Sequence, residues 1–350
     1  KIKADGRTDA EHRLSASTVL GDFDDVDLVI EAAFEDMGVK IDLFTQLDGI
    51  CKPGAVLATN TSYLDIDRIA GATARPQDVI GLHFFSPAHI MKLLEVVVAD
   101  KTAPEVVATG FALAAKLKKV AVRAGVCDGF IGNRILTHYR KAADYLVLDG
   151  ASPEQIDDAL EGFGWAMGPF RANDLSGLDI GYATRKRRAP DRPAAERYSA
   201  VPDRIAEAGW LGRKTGMGYY DHSQKPAPAN PGVATIIATV RNDHGITPRA
   251  IPDAEIVDRY MTAMIVEATR VIEDGIAQRP IDIDATFLFG YGFPRWRGGP
   301  MHYADTIGAA TLVQHIETYA RDDPHYWQVP PLLQRMADDG TTFADLNAEA

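Results

Sequence analysis

Val26-Asp27-Leu28-Val29-Ile30 reads as a short buried strand, and the segments on its carboxyl side decide the fold. From about Met37 to Ile50, the residues Ile41, Phe44, Leu47 and Ile50 are spaced along one face of a helix. Pro53-Gly54 then turns the chain into a second apolar run, Ala55 to Thr59. The alternation continues outward. A short helix is expected over Leu64 to Ala70, strands over Asp78 to His83 and Leu93 to Val98, a helix from Pro104 to Lys119, and a strand-like Val120-Ala121-Val122. Strands alternating with crossover helices build a parallel sheet covered on both faces, so residues 1–123 are expected to form a doubly wound, Rossmann-like α/β domain.

Beyond about Gly125 the pattern becomes helical. Ile131, Ile135, Tyr139, Ala142 and Leu146 lie near helical spacing, and Asp149-Gly150 supplies a stop. Ser152-Pro153-Glu154-Gln155 reads as a capping box with proline at the first helical position. The Pro- and Ala-rich stretch from Lys225 to Pro231 marks a linker, taken to span 225–250. The second half also echoes the first. Asn133-Arg134 through Asp149-Gly150 recurs at Asp258-Arg259 through Asp274-Gly275, an offset of 125 that Ile156-Asp157 keeps at Ile281-Asp282. After a six-residue insertion, Gly168-Pro169 and Asp174…Gly177 recur at Gly299-Pro300 and Asp305…Gly308. One helical unit has therefore been duplicated, giving all-α domains at 124–224 and 251–350.

Composition narrows the function. Of 350 residues, 46% are apolar and 25% charged, the balance of a globular protein. Basic side chains number 37 against 49 acidic ones, a net charge of −12 that disfavours nucleic-acid binding. Cys51 and Cys127 alone cannot make a disulfide framework, which points to a reducing compartment. No apolar run approaches the roughly 20 residues that cross a bilayer, and the chain does not open on a signal-peptide pattern. The histidines show no paired ligand spacing, so no metal site is expected.

Open parallel sheets bind ligands outside the carboxyl ends of their strands. Three polar clusters fall there: Glu31 and Glu35 with Lys40 one turn on, Asn60-Thr61-Ser62, and His83. Glu95 lies twelve residues after His83. A carboxylate on one ring nitrogen would fix the tautomer and stabilise the imidazolium formed when the other takes a proton.

The run Gly81-Leu82-His83-Phe84-Phe85-Ser86-Pro87-Ala88-His89-Ile90-Met91-Lys92-Leu93-Leu94-Glu95-Val96-Val97 resembles the active-site signature of the L-3-hydroxyacyl-CoA dehydrogenase family. Asn60-Thr61-Ser62, Gly129-Phe130-Ile131-Gly132-Asn133-Arg134 and Met167-Gly168-Pro169-Phe170 carry the same resemblance. With the duplicated helical unit and Gly290-Tyr291-Gly292-Phe293-Pro294, the chain is similar to the dehydrogenase half of multifunctional fatty-acid β-oxidation proteins, of the peroxisomal bifunctional type and its bacterial relatives. The resemblance implies an NAD-dependent enzyme that oxidises L-3-hydroxyacyl-CoA to 3-ketoacyl-CoA, beside an enoyl-CoA hydratase/isomerase half. It implies His83 as general base and Glu95 as its partner. Ser62, Asn133 and Tyr303 would bind substrate, and Ala33, Glu35, Lys40, Ser62, Ser86 and Lys214 would contact NAD. Ser86 stands where many relatives carry Asn, and its shorter side chain lacks the amide donor. Implied partners are an acyl-CoA substrate and, for assembly, a thiolase or a second copy of the chain. A bacterial source implies the cytoplasm, and a eukaryotic one the peroxisome. Arg185-Lys186-Arg187-Arg188 reads as a solvated helix face, with a CoA phosphate contact as the sharper alternative.

One departure matters. The Gly-x-Gly-x-x-Gly turn that cradles a pyrophosphate is absent from these 350 residues; Gly216-Met217-Gly218 and Gly290-Tyr291-Gly292 lack the third glycine. The sheet is therefore expected to be truncated, missing the first βαβ unit, and this chain by itself to bind NAD weakly or not at all. The alternative reading is a catalytically silent fragment whose helical repeats act as an assembly module.

Overall fold

The structure is a computed structural model and describes residues 11–349. The first ten residues of the expected 1–123 domain, and the last of 251–350, lie outside the described residues. The chain divides into two compact units, Lys1–Phe84 with Leu94–Ala121 and Phe85–Leu93 with Val122–Ala350.

The α/β elements come in the expected order: β1 (Leu28–Glu31), α1 (Met37–Ile50), β2 (Val56–Thr59), α2 (Ile66–Ala70), β3 (Val79–Phe84), β4 (Leu93–Val97), α3 (Pro104–Lys116) and β5 (Val120–Ala124). Local chemistry sets their ends. The Asp36 carboxylate accepts from Val39 N at 3.0 Å and starts α1, and Asp65 does the same for α2 through Arg68 N. The sheet order is β1-β2-β3-β4-β5. β1, β2 and β3 are parallel, with Leu28 opposite Val56 and Leu57 opposite Val79.

β4 departs from the all-parallel expectation and runs antiparallel to β3. Only residues 85–92 join the two strands, fewer than the dozen or more that a parallel crossover requires, so the chain doubles back. The pleat then sorts the side chains. Val56, Ala58, Ile80, Leu82, Leu94 and Val96 share one face, which Val106 and Ala114 of α3 close. Each fully buried aliphatic side chain there contributes roughly 1.5–3 kcal/mol. The odd-numbered Glu31, Thr59, His83 and Glu95 project from the opposite face.

The second unit is helical: α4 (Gly132–Asp149), α5 (Pro153–Phe163), α6 (Pro169–Ser176), α7 (Leu178–Arg188), α8 (Val201–Glu207), α9 (Pro231–Asp243), α10 (Asp253–Glu273), α11 (Pro280–Gly290), α12 (Pro300–Ile307), α13 (Ala309–Tyr319), α14 (Pro331–Asp339) and α15 (Phe343–Glu349). α10 is buried nearly all round, from Ile256 to Val271, and lies along α4. The two helical repeats, expected as domains joined by a linker, thus share one core. The stretch 225–250 is itself not an open linker, because it carries α9. Asn230 caps that helix by accepting from Gly232 N at 3.0 Å, Pro231 takes its first position, and Val233, Ile237 and Val240 bury one face. Proline and alanine suit a helix start as well as a linker, which is why composition misleads there. At Ser152 the expected capping box is half made: its hydroxyl accepts from Gln155 N, while the Gln155 amide reaches Ile251 O and Asp253 instead.

The duplication is visible in three dimensions, with one correction to its register. α5 and α11 both start on proline, at Pro153 and Pro280, so the counterpart of Ile156-Asp157 is Ile283-Asp284 and not Ile281-Asp282. Ile283 is fully buried, as Ile156 is, whereas Ile281 is half exposed and Asp282 pairs with Arg279. The extra residues enter in two places, before α11 and after it. Asp157 accepts from Phe170 N and Arg171 N; Asp284 accepts from Met301 N and His302 N. Each carboxylate caps the helix that begins at a Gly-Pro turn. A Cβ on Gly168 or Gly299 would stand 2.3 Å from that carboxylate, so only glycine admits the cap. Asp174 and Asp305 repeat the device one layer on, accepting from Tyr219 N and Tyr220 N and from Phe343 N and Ala344 N. The repeats differ at one spot. The Tyr220 hydroxyl donates to Asp157 at 2.6 Å, but Ala344 stands in its place in the second repeat, beside a cavity of about 440 Å³ lined by Ile281, Asp284, Phe289 and His302.

Burial raises the Asp284 carboxyl from 3.8 to about 7, against the two backbone donors that favour its ionised form. The folded state therefore holds this proton more tightly than the unfolded chain. The stability it contributes is complete below about pH 4 and is lost as pH rises through about 7. Thermal unfolding of Asp284→Asn and the wild type should show the variant gaining relative to the wild type between pH 5 and pH 8; a difference independent of pH would contradict this.

Candidate active site

Antiparallel pairing of β3 and β4 places His83 directly opposite Glu95. Directly opposed residues hold their Cβ atoms about 5 Å apart, and the side chains close the gap: Nδ1 and Oε2 are 2.6 Å apart. Glu95 is fully buried and His83 nearly so. A carboxylate oxygen can only accept, so Nδ1 is the donor to Glu95, and in the neutral ring the lone pair is then on Nε2. The arrangement is that of a general base steadied by an acid.

The turns at the strand ends are held by a second set of bonds. At the end of β1, Lys40 is 1% exposed and its Nζ lies 2.8 and 3.0 Å from the two oxygens of Glu31. Thr59 Oγ1, from the neighbouring strand, donates to the same carboxylate at 2.7 Å. Glu35 binds the next turn: its Oε1 accepts from Thr61 Oγ1 at 2.7 Å and from Ser62 N at 2.9 Å. Asn60 ties the second strand end to the third, its Oδ1 accepting from Phe84 N at 2.8 Å. Of the residues expected to contact a dinucleotide, Ala33 is exposed and donates its N–H to Glu31, Ser62 is half-buried, Glu35 is engaged by the turn at Thr61, and Lys40 by Glu31. Lys40 thus presents no ammonium to solvent.

In the helical unit, Asn133 sits in the first turn of α4, after a tight turn in which Gly129 and Phe130 take φ of 88° and 51°. A buried phenylalanine held left-handed costs of order 1–3 kcal/mol, a cost borne only where surrounding structure demands the conformation. The Tyr291 hydroxyl donates to Asn133 Oδ1 at 2.9 Å. Ser86 is exposed, two residues past β3. Tyr303 and Lys214 lie in contacts of their own. Tyr303 packs edge-on against Phe163 with the Arg297 guanidinium over both rings, and Lys214 pairs with Asp179. The basic run of α7 is matched by acids: Arg185 by Asp203, Arg187 and Arg188 by Asp128, Lys186 by Glu207. Sequence reasoning assigns no role to the side chains of Tyr291 and Asn60; nothing in their spacing shows that they reach Asn133 and Phe84. Among the described residues no helix is long and apolar enough to cross a membrane.

A Rossmann-like sheet with a buried His–Glu pair across β3 and β4, in a chain that also carries a doubled helical unit, is the kind of fold and site that dinucleotide-dependent dehydrogenases use. Residues 1–127 match the description "3-hydroxyacyl-CoA dehydrogenase, NAD binding domain", and residues 129–222 and 256–344 match "3-hydroxyacyl-CoA dehydrogenase, C-terminal domain". The chain belongs to the 3-hydroxyacyl-CoA dehydrogenase family, a family of NAD-dependent oxidoreductases. A peroxisomal bifunctional enzyme of Danio rerio is 44% identical over 345 residues, which cover 94% of this chain and 48% of that protein. A fatty acid oxidation complex subunit alpha of Pseudomonas putida is 37% identical over 328 residues, 92% of this chain and 46% of that one. Among solved structures, 3-hydroxybutyryl-CoA dehydrogenase from Escherichia coli superposes with a TM-score of 0.82 at 28% identity, over 96% of this chain and 86% of that chain. The dehydrogenase part of multifunctional enzyme 1 from C. elegans gives 0.67 at 27% identity, over 95% and 76%. The chain spans about half the length of the curated relatives it matches.

The cofactor of the family is NAD, and the strand ends form an edge of the kind that binds dinucleotides. Parallel β1, β2 and β3 bring their carboxyl ends to one edge, where open α/β sheets bind ligands, and the half-buried Ser62 hydroxyl stands at that edge. Lys40→Met would strand the buried Glu31 carboxylate with a hydroxyl and an amide as its only compensation. Breaking one side of such a pair costs roughly 3–5 kcal/mol, so the urea midpoint of the variant should fall steeply, and Glu31→Gln in the same chain should recover part of the loss.

Proposed function

We propose that this protein oxidises L-3-hydroxyacyl-CoA to 3-ketoacyl-CoA with NAD, as the dehydrogenase portion of a multifunctional fatty-acid β-oxidation protein that also carries an enoyl-CoA hydratase/isomerase half. The observation that supports it most is the 2.6 Å contact between His83 Nδ1 and Glu95 across β3 and β4. His83 Nε2 takes the proton of the 3-hydroxyl, and the Glu95 carboxylate stabilises the imidazolium that results. The hydride acceptor for C3 would be supplied by the NAD nicotinamide when the cofactor is bound. Ser62 and Asn133 hydrogen-bond the substrate oxygens and hold C3 in place, positioning that can supply on the order of 7–11 kcal/mol at best. Tyr303 is a further substrate contact.

On the cofactor side, Ala33, Ser62 and Ser86 act by contact. Glu35 and Lys40 act by shaping the turns after β1 and β2, since their charges are already engaged there. Lys214, half-exposed beside Asp179, completes the set. The assembly partner is a thiolase or a second copy of the chain, and the compartment is the cytoplasm in a bacterium or the peroxisome in a eukaryote, in keeping with relatives of both kinds.

The test is reduction of acetoacetyl-CoA by NADH in the full-length protein. His83→Ala should lower kcat by about 10²–10⁴-fold, the usual worth of a general acid–base, and Glu95→Gln should lower it as well. Free acetoacetate should not replace the thioester. Wild-type turnover by His83→Ala would overturn the proposal.

A further inference from the structure

The two helical repeats treat one corner of their packing differently, and the differences fall on side chains that touch one another. In the first repeat the Asp157 carboxylate accepts from the Phe170 and Arg171 amides and from the Tyr220 hydroxyl. The Arg171 guanidinium lies over the Tyr220 ring, 5.1 Å from its centroid, and is held at 2.9 Å by Asp158 and by Glu161. In the second repeat α11 begins at Pro280 as α5 does at Pro153, so Asp158, Glu161 and Gly162 correspond to Ala285, Leu288 and Phe289. The Gly-Pro turns set His302 against Arg171, and the donors to Asp174 and Asp305 set Ala344 against Tyr220. The acidic clamp has become apolar, its arginine a histidine and its phenol a methyl group. All of these replacements line the cavity of about 440 Å³. Asp284, 8% exposed, lines it too, and among the described residues its donors are the Met301 and His302 amides alone.

We propose that this cavity is a binding site for a small uncharged phenol, whose hydroxyl donates to Asp284 as the Tyr220 hydroxyl donates to Asp157, and whose ring lies against Ala285, Leu288 and Phe289. The volume falls within the roughly 300–1,000 Å³ of small-molecule sites, and apolar walls with few polar groups are their usual lining. The polar group selects a donor, because a carboxylate offers about four lone-pair sites and the two amides use only part of them. An anion is disfavoured by Asp284 and Asp305, which both line the cavity. A cation is disfavoured because the two carboxylates that hold Arg171 in the first repeat have become Ala285 and Leu288. The site shares no residue with the His83–Glu95 pair, and the proposal is independent of the dehydrogenase reaction.

The experiment is calorimetric titration of the full-length protein with p-cresol, toluene and benzylamine, repeated on Ala344→Tyr and Leu288→Glu. Ala344→Tyr supplies the phenol of the first repeat from the chain itself. Leu288→Glu restores a carboxylate of the first repeat, and the Tm of each variant reports whether it is folded. The wild type should bind one p-cresol saturably. Toluene should bind at least about tenfold more weakly, as expected when a hydrogen bond to a charged group is lost, and benzylamine no better than toluene. Both variants should lose most of the affinity for p-cresol; if one is unfolded, the other carries the comparison. No saturable binding at millimolar p-cresol, equal affinity for toluene, preference for benzylamine, or wild-type affinity in the folded variants would overturn the proposal.

Discussion

The hydrogen bond between His83 and Glu95 depends on one topological fact, the reversal of chain direction between β3 and β4. In a parallel pair of strands joined by a helix, two residues twelve apart could not stand opposite each other. Eight connecting residues are too few for such a crossover, so β4 runs back along β3 and the register sets Gly81 against Val97, Leu82 against Val96 and His83 against Glu95. The pleat then decides the rest. Leu82, Leu94 and Val96 face the α3 core, while the imidazole and the carboxylate project from the other face, next to each other and largely out of water. A bond of 2.6 Å between buried partners fixes one tautomer of the ring, and the proposed catalysis depends on which nitrogen that leaves with a lone pair.

Around this pair, buried charge is consistently given several partners. Glu31 would be costly in so dry a place, yet it is met by an ammonium, a hydroxyl and a backbone amide. The helical unit solves the same problem with backbone donors. Asp157 and Asp284 cap the helices after the Gly-Pro turns, and Asp174 and Asp305 hold the segments that return to them. The duplication has preserved these four carboxylates through large changes around them. Where the change reached a partner, as from Tyr220 to Ala344, the second carboxylate is left with fewer donors and a higher pKa, about 7 against about 6.

Much of this was legible from pattern. The alternation of strand and helix over residues 26–123, the stop at Asp149-Gly150, and the echo of one helical unit in the other all arise from local rules of period and capping, which a linear chain displays openly. His83 and Glu95 stood out because His83 closes a strand, Glu95 follows twelve residues later, and both lie in the Gly81–Val97 run that resembles the family's active-site signature. The misreadings have equally local causes. Proline and alanine mark helix starts as well as linkers, so α9 was hidden; and a duplicated pair matched by letters alone put Asp282 where burial and capping put Asp284.

Residue order by itself determined most of the secondary elements, because these depend on neighbours within a few turns of the chain, and the duplication, because a copied segment repeats its order of residues. Only the tertiary structure decided the direction of β4, the burial of Lys40 against Glu31, the attachment of Glu35 to the turn at Ser62, and the reach of Tyr291 to Asn133. Those contacts join residues separated by 9 to 158 positions. Such separations leave no periodic trace, since they are settled by which surfaces pack and not by any rule that one segment obeys alone.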